Sequence, residues 1–260
     1  MRRQPTEDAV EAPSLTTFQP RPALRSRVSA IDVIELGGGE ATVLPQAGAV
    51  LGFQFRGRVQ TDEGLLSVAG VTGIQQAARR YGYVGETGSV LVRFTPQGAA
   101  CLGLPAHELT GRSVALDQII APARAREAYE RLLASPGPEA RVAAVEELLL
   151  GMPFVVDRLV ERAIELLAAT DGGDASVAAV ARALELSERQ LERRVLSRVG
   201  LTPKRLARLL RFERAVALAR TTASLTAVAL AAGYADQSHF IREFRRFSGA
   251  PPGAILRRPR

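Results

Sequence analysis

Between residues 180 and 244 one pattern is written twice, and it restricts this chain more than any other feature. The first copy is VARALELSERQLERRV (180–195) and the second is VALAAGYADQSHFIREF (228–244). In each, an alanine sits inside a first helical segment and a turn follows four residues later. A second helical segment then places apolar residues at i and i+4. Ala181 and Ala229 stand where two helices must cross closely, since a larger side chain would force them apart. Gly233 suits a turn with positive φ, whereas Glu185, at the matching place in the first copy, lacks that freedom. Each copy reads as a helix-turn-helix.

The flanking helices are marked by their caps. Val156, Leu159, Val160, Ala163 and Leu167 make one apolar stripe, and Asp171-Gly172-Gly173 should end that helix. Ser176 is the expected cap of the next. Ser187 and Gln190 form a capping box for the one after it. Thr202-Pro203 opens a long helix to about Arg220. Ser224 and Asp236 cap two further helices that stop at Gly233 and Gly249, and Pro251-Pro252 start a short last one. The region is therefore expected to be all-helical over 151–260, with helix-turn-helix units at 176–199 and 224–248.

Charge separates the two halves. Residues 1–150 hold 15 Lys+Arg against 16 Asp+Glu, while 151–260 hold 19 against 11. The whole excess behind the net charge of +7 therefore lies with the repeat, and Lys204 is its only lysine. A polyanion is the partner such asymmetry points to. In the later repeat Phe240, Phe244 and Phe247 share the core stripe, which turns Gln237, Ser238, Arg242, Arg245 and Arg246 outward. In the earlier one Leu191 and Val195 face in, and Arg189, Gln190, Arg193 and Arg194 face out. Arg and Gln match the major-groove edges of guanine and adenine. Double-stranded DNA is the expected partner, and a joining helix of about 27 Å would let two recognition helices reach successive major grooves, about 34 Å apart.

The rest of the chain has a different texture. Residues 1–17 read as a disordered tail. From Val28 to about Leu116, short runs such as AVLGFQF (49–55) and SVLVRF (89–94) alternate with glycine turns, as in an antiparallel sandwich or barrel. Phe53, Phe55, Tyr81, Tyr83 and Phe94 are candidates to line an effector cavity there, or else simply to fill its core. From Pro122 the period becomes helical, broken at Pro136-Gly137-Pro138, so 18–150 should be a β-rich domain ending in a helical hairpin. The hairpin's apolar faces would cover the sheet or pair two chains as a homodimer. The fold class is α+β.

Several functions find no support. One cysteine, Cys101, excludes a disulfide framework and a multi-cysteine zinc site, and two histidines, His107 and His239, do not make a metal centre. No P-loop, dinucleotide fingerprint or nucleophile–base pairing is present, so neither an enzyme nor a cofactor is expected. No apolar run approaches the roughly 18 residues that span a bilayer, and the N-terminus lacks a secretory h-region, so a cytoplasmic, nucleoid-associated protein without membrane contact is expected. An adaptor that has lost DNA binding is disfavoured by the outward arginines.

The residues GYADQSHFIREFRRFSGAPPGAI (233–255) closely resemble the signature that closes the DNA-binding domain of AraC/XylS-type transcription regulators. SERQLERRVLSRVGLTPKRLARLLRFERAVALAR (187–220) resembles that domain's first recognition helix and linking helix. The resemblance covers about 155–258. It implies a transcription regulator acting at promoters beside RNA polymerase, and base-reading positions at Arg189, Glu192, Arg193, Gln237, Ser238, His239 and Arg242. Val195 departs from the family's usual phenylalanine, and Ala250 and Ala254 replace commoner residues. RFTPQGAACLGLPAHELTG (93–111) more faintly resembles the family's sensor domains, which are often cupin-like, bind a small-molecule effector or dimerise.

Overall fold

In the computed structural model, residues 14–170, 174–222 and 224–256 are described. The chain opens with an antiparallel sheet. Its strands are β1 (Ser14–Phe18), β2 (Val28–Leu36), β3 (Gly39–Val43), β4 (Val50–Thr61), β5 (Gly64–Leu65), β6 (Ala69–Thr72), β7 (Arg79–Phe94) and β8 (Ser113–Ala115). They run in the order β1-β2-β7-β4-β6-β8, with β3 added to β7 and β5 to β4. Residues 14–17 were expected to be tail. They are edge strand instead, Thr17 lying opposite Asp32 and donating to it at 2.7 Å. The rest of the expected tail lies outside the described residues.

The choice between sandwich and barrel resolves into one sheet folded over on itself. β7 is long enough to pair with β2 along residues 87–94 and with β3 along 79–83, and β4 follows it through both halves. Between Gln54 and Arg58 the β4–β7 register shifts twice, at a point where Gly57 takes φ +61. Such bulges bend a strand and sharpen its twist. One face of the sheet carries Ile31, Val33, Leu51, Val90 and Val92, all buried. Against it packs the hairpin of α2 (Pro122–Leu133) and α3 (Pro138–Leu150), through Leu132, Val145 and Leu149. The hairpin's apolar stripe is thus buried within its own chain. A short α1 (Ala106–Leu109) precedes β8.

Among the described residues seven helices follow: α4 (Arg158–Ala169), α5 (Asp174–Ala183), α6 (Glu188–Val199), α7 (Pro203–Ala219), α8 (Leu225–Ala232), α9 (Gln237–Ser248) and α10 (Pro252–Ile255). Most stops and starts follow the local chemistry. Ser187, Thr202, Ser224 and Asp236 each accept a backbone N–H at a helix start, and Gly200, Gly233 and Gly249 end helices in the left-handed conformation. α5 begins at Asp174, so Ser176 lies inside the helix and is not its cap. The expected stop at Asp171-Gly172-Gly173 lies outside the described residues; α4 itself ends at Ala169, with Thr170 as its extended C-cap.

The core of this helical part gathers Phe212, Phe240, Phe244 and Phe247, with the Phe212 ring 4.7 Å from Phe247 and 5.3 Å from Phe244. Two residues of the sheet domain, Ala47 and Ile74, join that core. The backbone seals the junction: Ala47 N donates to Glu213 Oε1 at 2.9 Å, Ala78 N to the Phe247 carbonyl at 2.6 Å, and Thr110 Oγ1 to the Gly200 carbonyl at 2.9 Å. No described helix is long and apolar enough to cross a membrane.

Candidate nucleic-acid interface

The repeat folds as two helix-turn-helix units, α5–α6 and α8–α9, joined by α7. At 17 residues α7 is about 26 Å long. The crossing alanines are fully packed: Ala181 is 1% and Ala229 0% exposed. Gly233 turns at φ +88 and Glu185 at φ +55, among the described residues the one non-glycine with positive φ. Glu185 therefore accepts a strain that glycine avoids at the equivalent place, because the packing of α5 on α6 demands the same turn. Val195, although smaller than phenylalanine, is completely buried beside Leu191.

What holds the second unit is an ion network spanning α7 and α9. Glu243 accepts from Arg208 Nε at 2.7 Å on one oxygen and from Arg211 Nη2 at 2.7 Å on the other. Arg211 also lies over the Tyr234 ring, 4.5 Å from its centroid. Burial alone would raise the Glu243 carboxyl, but the Arg208 hydrogen bond and the Arg211 charge outweigh it and hold it below its ordinary value. Sequence reading missed this network. Its signal was opposite charges placed among apolar neighbours: Arg211 beside Phe212 and Leu210, and Glu243 between Phe240, Phe244 and Phe247.

Of the expected outward residues, Arg189, Glu192, Arg193, Ser238, Arg242, Arg245 and Arg246 are exposed. Others are engaged within the protein. Gln190 Oε1 accepts from Ser187 N at 2.8 Å and so closes the capping box. Arg194 Nε donates to Asp157 at 2.8 Å, and Arg198 approaches the same oxygen at 4.0 Å. Asp157 is also the cap of α4. Burial raises its carboxyl, yet the Arg194 and Val160 hydrogen bonds prevail and lower it. His239 stands edge-on to Tyr234 at 5.2 Å, and Gln237 Oε1 accepts from the Thr226 hydroxyl at 2.7 Å.

On the far side of the sheet from the hairpin lies a cavity of about 310 Å³. Ile34, Leu91, Tyr81 and Tyr83 are among its walls, whereas Phe53, which also borders it, lies opposite Val90 and packs into the core on the hairpin side. Burial raises both tyrosine hydroxyls, so they stay neutral. Phe94 points elsewhere: Val90, Val92 and Phe94 alternate onto the hairpin face, while Ser89 and Leu91 face the cavity. Phe55 lies under the Arg141 guanidinium, 3.9 Å from the ring centroid. Arg79, at the wall, is paired with Glu63 at 2.7 Å. The Cys101 thiol is pushed up to about 11 by burial, which leaves it protonated and unreactive at neutral pH. His107 is exposed, and no group of three ligating side chains gathers among the described residues.

Residues 180–258 match the family model of a helix-turn-helix domain. ToxT from Vibrio cholerae superposes with a TM-score of 0.50 at 11% identity, over 87% of this chain and 97% of that one. A ToxT structure with bound unsaturated fatty acid gives 0.49 at 12% identity, over 87% and 94%. The AraC-like transcriptional activator CuxR gives 0.30 at 15%, over 79% and 83%. No curated protein matches the sequence. At such identity the ToxT likeness shows the fold alone: a sheet-rich N-terminal domain followed by a helical one. The match over 180–258 and the two helix-turn-helix units seen there identify this part of the chain as a helix-turn-helix domain.

Proposed function

We propose that the protein reads a specific promoter sequence by setting α6 and α9 into successive major grooves, and that the sheet domain controls this by taking a small apolar effector. The observation that carries the DNA reading is the outward row on two helices held by one connector: Arg189, Glu192 and Arg193 on α6, and Ser238, Arg242, Arg245 and Arg246 on α9. Arg242 lies one turn beyond Ser238, opposite Phe240 and Phe244, where it meets base edges. Arg246 lies a further turn along, where the helix passes the phosphates. The protein needs no catalytic group, metal or cofactor for this task.

Control from the sheet domain is supported by where its cavity walls end. Leu44, Pro45, Gln46 and Gly48 border the cavity, and Ala47 within that loop bonds to Glu213 on α7. Gly73, Gln75 and Arg79 border it too, and Ala78 between them bonds to the end of α9. A ligand that displaces either loop alters a contact with the DNA-reading domain.

The test is to select duplexes from a randomised pool with the full-length protein, then titrate variants on selected and scrambled duplexes across a salt series. Arg242→Ala should cost about 1–3 kcal/mol on the selected duplex and relax one base position. Arg246→Ala should weaken both duplexes alike and lower the salt slope by about one ion. Equal losses on both duplexes for Arg242→Ala would refute base readout by α9.

A further inference from the structure

Gln237 opens α9 at its DNA-facing end, and its amide is already held. Thr226, in the first turn of α8, donates its hydroxyl proton to Gln237 Oε1 at 2.7 Å. Thr226 is exposed and Gln237 half-buried, so this hydrogen bond sits at the surface that the two helices present together. A glutamine amide offers two donors on Nε2 and two lone pairs on Oε1. Paired with adenine it must use both ends, Oε1 accepting from N6 and Nε2 donating to N7. Guanine instead shows two acceptors, N7 and O6, in the same groove. A glutamine free to rotate reads either edge.

We infer that Thr226 is a specificity-determining positioning residue: it ties Gln237 Oε1 back towards α8, so that Nε2 leads outward and the pair reads guanine in preference to adenine. The inference rests on the reading of α9 as a base-contacting helix. Holding the side chain before DNA arrives also removes part of the rotamer freedom that binding would otherwise freeze. Thr226 touches no base in this scheme; it acts through Gln237.

The experiment repeats the duplex selection with full-length wild type, Gln237→Ala, Thr226→Val and Thr226→Ser. Valine keeps the shape and loses the donor, and serine restores the donor. In the wild type, the position whose preference disappears in Gln237→Ala should be guanine. In Thr226→Val the guanine-to-adenine ratio at that same position should fall about fivefold or more, with other positions unchanged. Thr226→Ser should select as the wild type does. Because residue 226 is exposed, the valine variant should melt with the wild type, and a merely structural effect would lower affinity at all positions together. The inference is overturned if Thr226→Val selects the wild-type base, if its preferences flatten everywhere, or if the Gln237 position proves to be adenine. A wild type that enriches no motif overturns base readout itself, and this inference with it. A motif that responds to Arg242→Ala but not to Thr226→Val overturns this inference alone.

Discussion

Replacing Glu243 by glutamine removes one charge and almost no volume, which makes it a clean measure of what holds α9 to α7. The Glu243 side chain is 4% exposed and Arg211 6%, whereas Arg208 is 23% exposed. The carboxylate receives Arg208 on one oxygen and a two-pronged contact from Arg211 Nε, at 3.2 Å, and Nη2, at 2.7 Å, on the other. Each charge pair at such distances is worth roughly 4 kcal/mol at an effective dielectric of about 20. Much of that is cancelled by the desolvation both partners have already suffered. Taking away one member of a buried pair commonly costs about 3–5 kcal/mol, since the other charge stays buried and uncompensated. Arg208 can recover part of its hydration through its exposed edge, and Arg211 cannot. The expected loss for Glu243→Gln is therefore near the lower end, about 3 kcal/mol.

The loss is read from urea titrations followed by far-ultraviolet circular dichroism, with amide exchange in α7 and α9 locating it. The sign with pH follows from the lowered carboxyl. Its stabilisation is present above the unfolded value near 4.3 and is lost as pH falls through the folded value below it. The gap between wild type and variant should accordingly close in acid. Replacing Arg208, Arg211 and Glu243 together by methionine should restore most of the stability, because no charge is then left stranded. A loss under about 1 kcal/mol for Glu243→Gln, or a gap that does not close in acid, would refute the account of this network as the clamp on α9.

Three further outcomes follow from single contacts. Glu185→Gly should stabilise the protein by about 1 kcal/mol by relieving positive φ, and an unchanged melting temperature would show the turn to be unstrained. Asp157→Asn keeps the α4 cap but releases Arg194, which is about half exposed. If Arg194 leaves Asp157 on binding, DNA affinity rises by up to about fivefold, in line with a surface ion pair of under about 1 kcal/mol; an unchanged affinity means Arg194 stays on Asp157 in the complex. Burial raises the Glu213 carboxyl, partly opposed by the Ala47 N–H, so its contribution is full below the unfolded value and is lost as pH rises through the folded one. Glu213→Gln should therefore gain on the wild type as pH rises from about 4, and parallel melting temperatures would contradict that burial.

The helical domain was legible because its instructions are local. A cap acts on the next three residues, a C-terminal glycine on the preceding turn, and an apolar stripe on one helix face. Hence Ser187, Thr202, Ser224, Asp236 and the phenylalanine row sit as expected. The sheet was legible only as texture. Its bend depends on which residues of β4 oppose which of β7, and register of that kind is a property of the pair rather than of either strand. The same cause explains why Phe53, Phe55 and Phe94 pack on the hairpin side. Alternation along β7 separates Phe94 from Tyr81 and Tyr83, but which face holds the cavity is decided by where the hairpin packs.

Glu185 shows how far local rules reach. Its side chain argues against a left-handed turn, and the turn forms regardless, because Ala181 and Leu191 must meet in the core. Local preference costs about 1–2 kcal/mol there, less than the burial of a few apolar side chains returns. The partners of outward residues follow the same logic in reverse. A face can be assigned from helical spacing alone, yet Arg194 faces out and still finds Asp157, 37 residues away, and Gln237 faces out and finds Thr226 on the neighbouring helix. Spacing tells which side chains leave the core. Only the crossing of helices tells which of them reach the exposed face of the two units with hydrogen-bonding capacity still to offer.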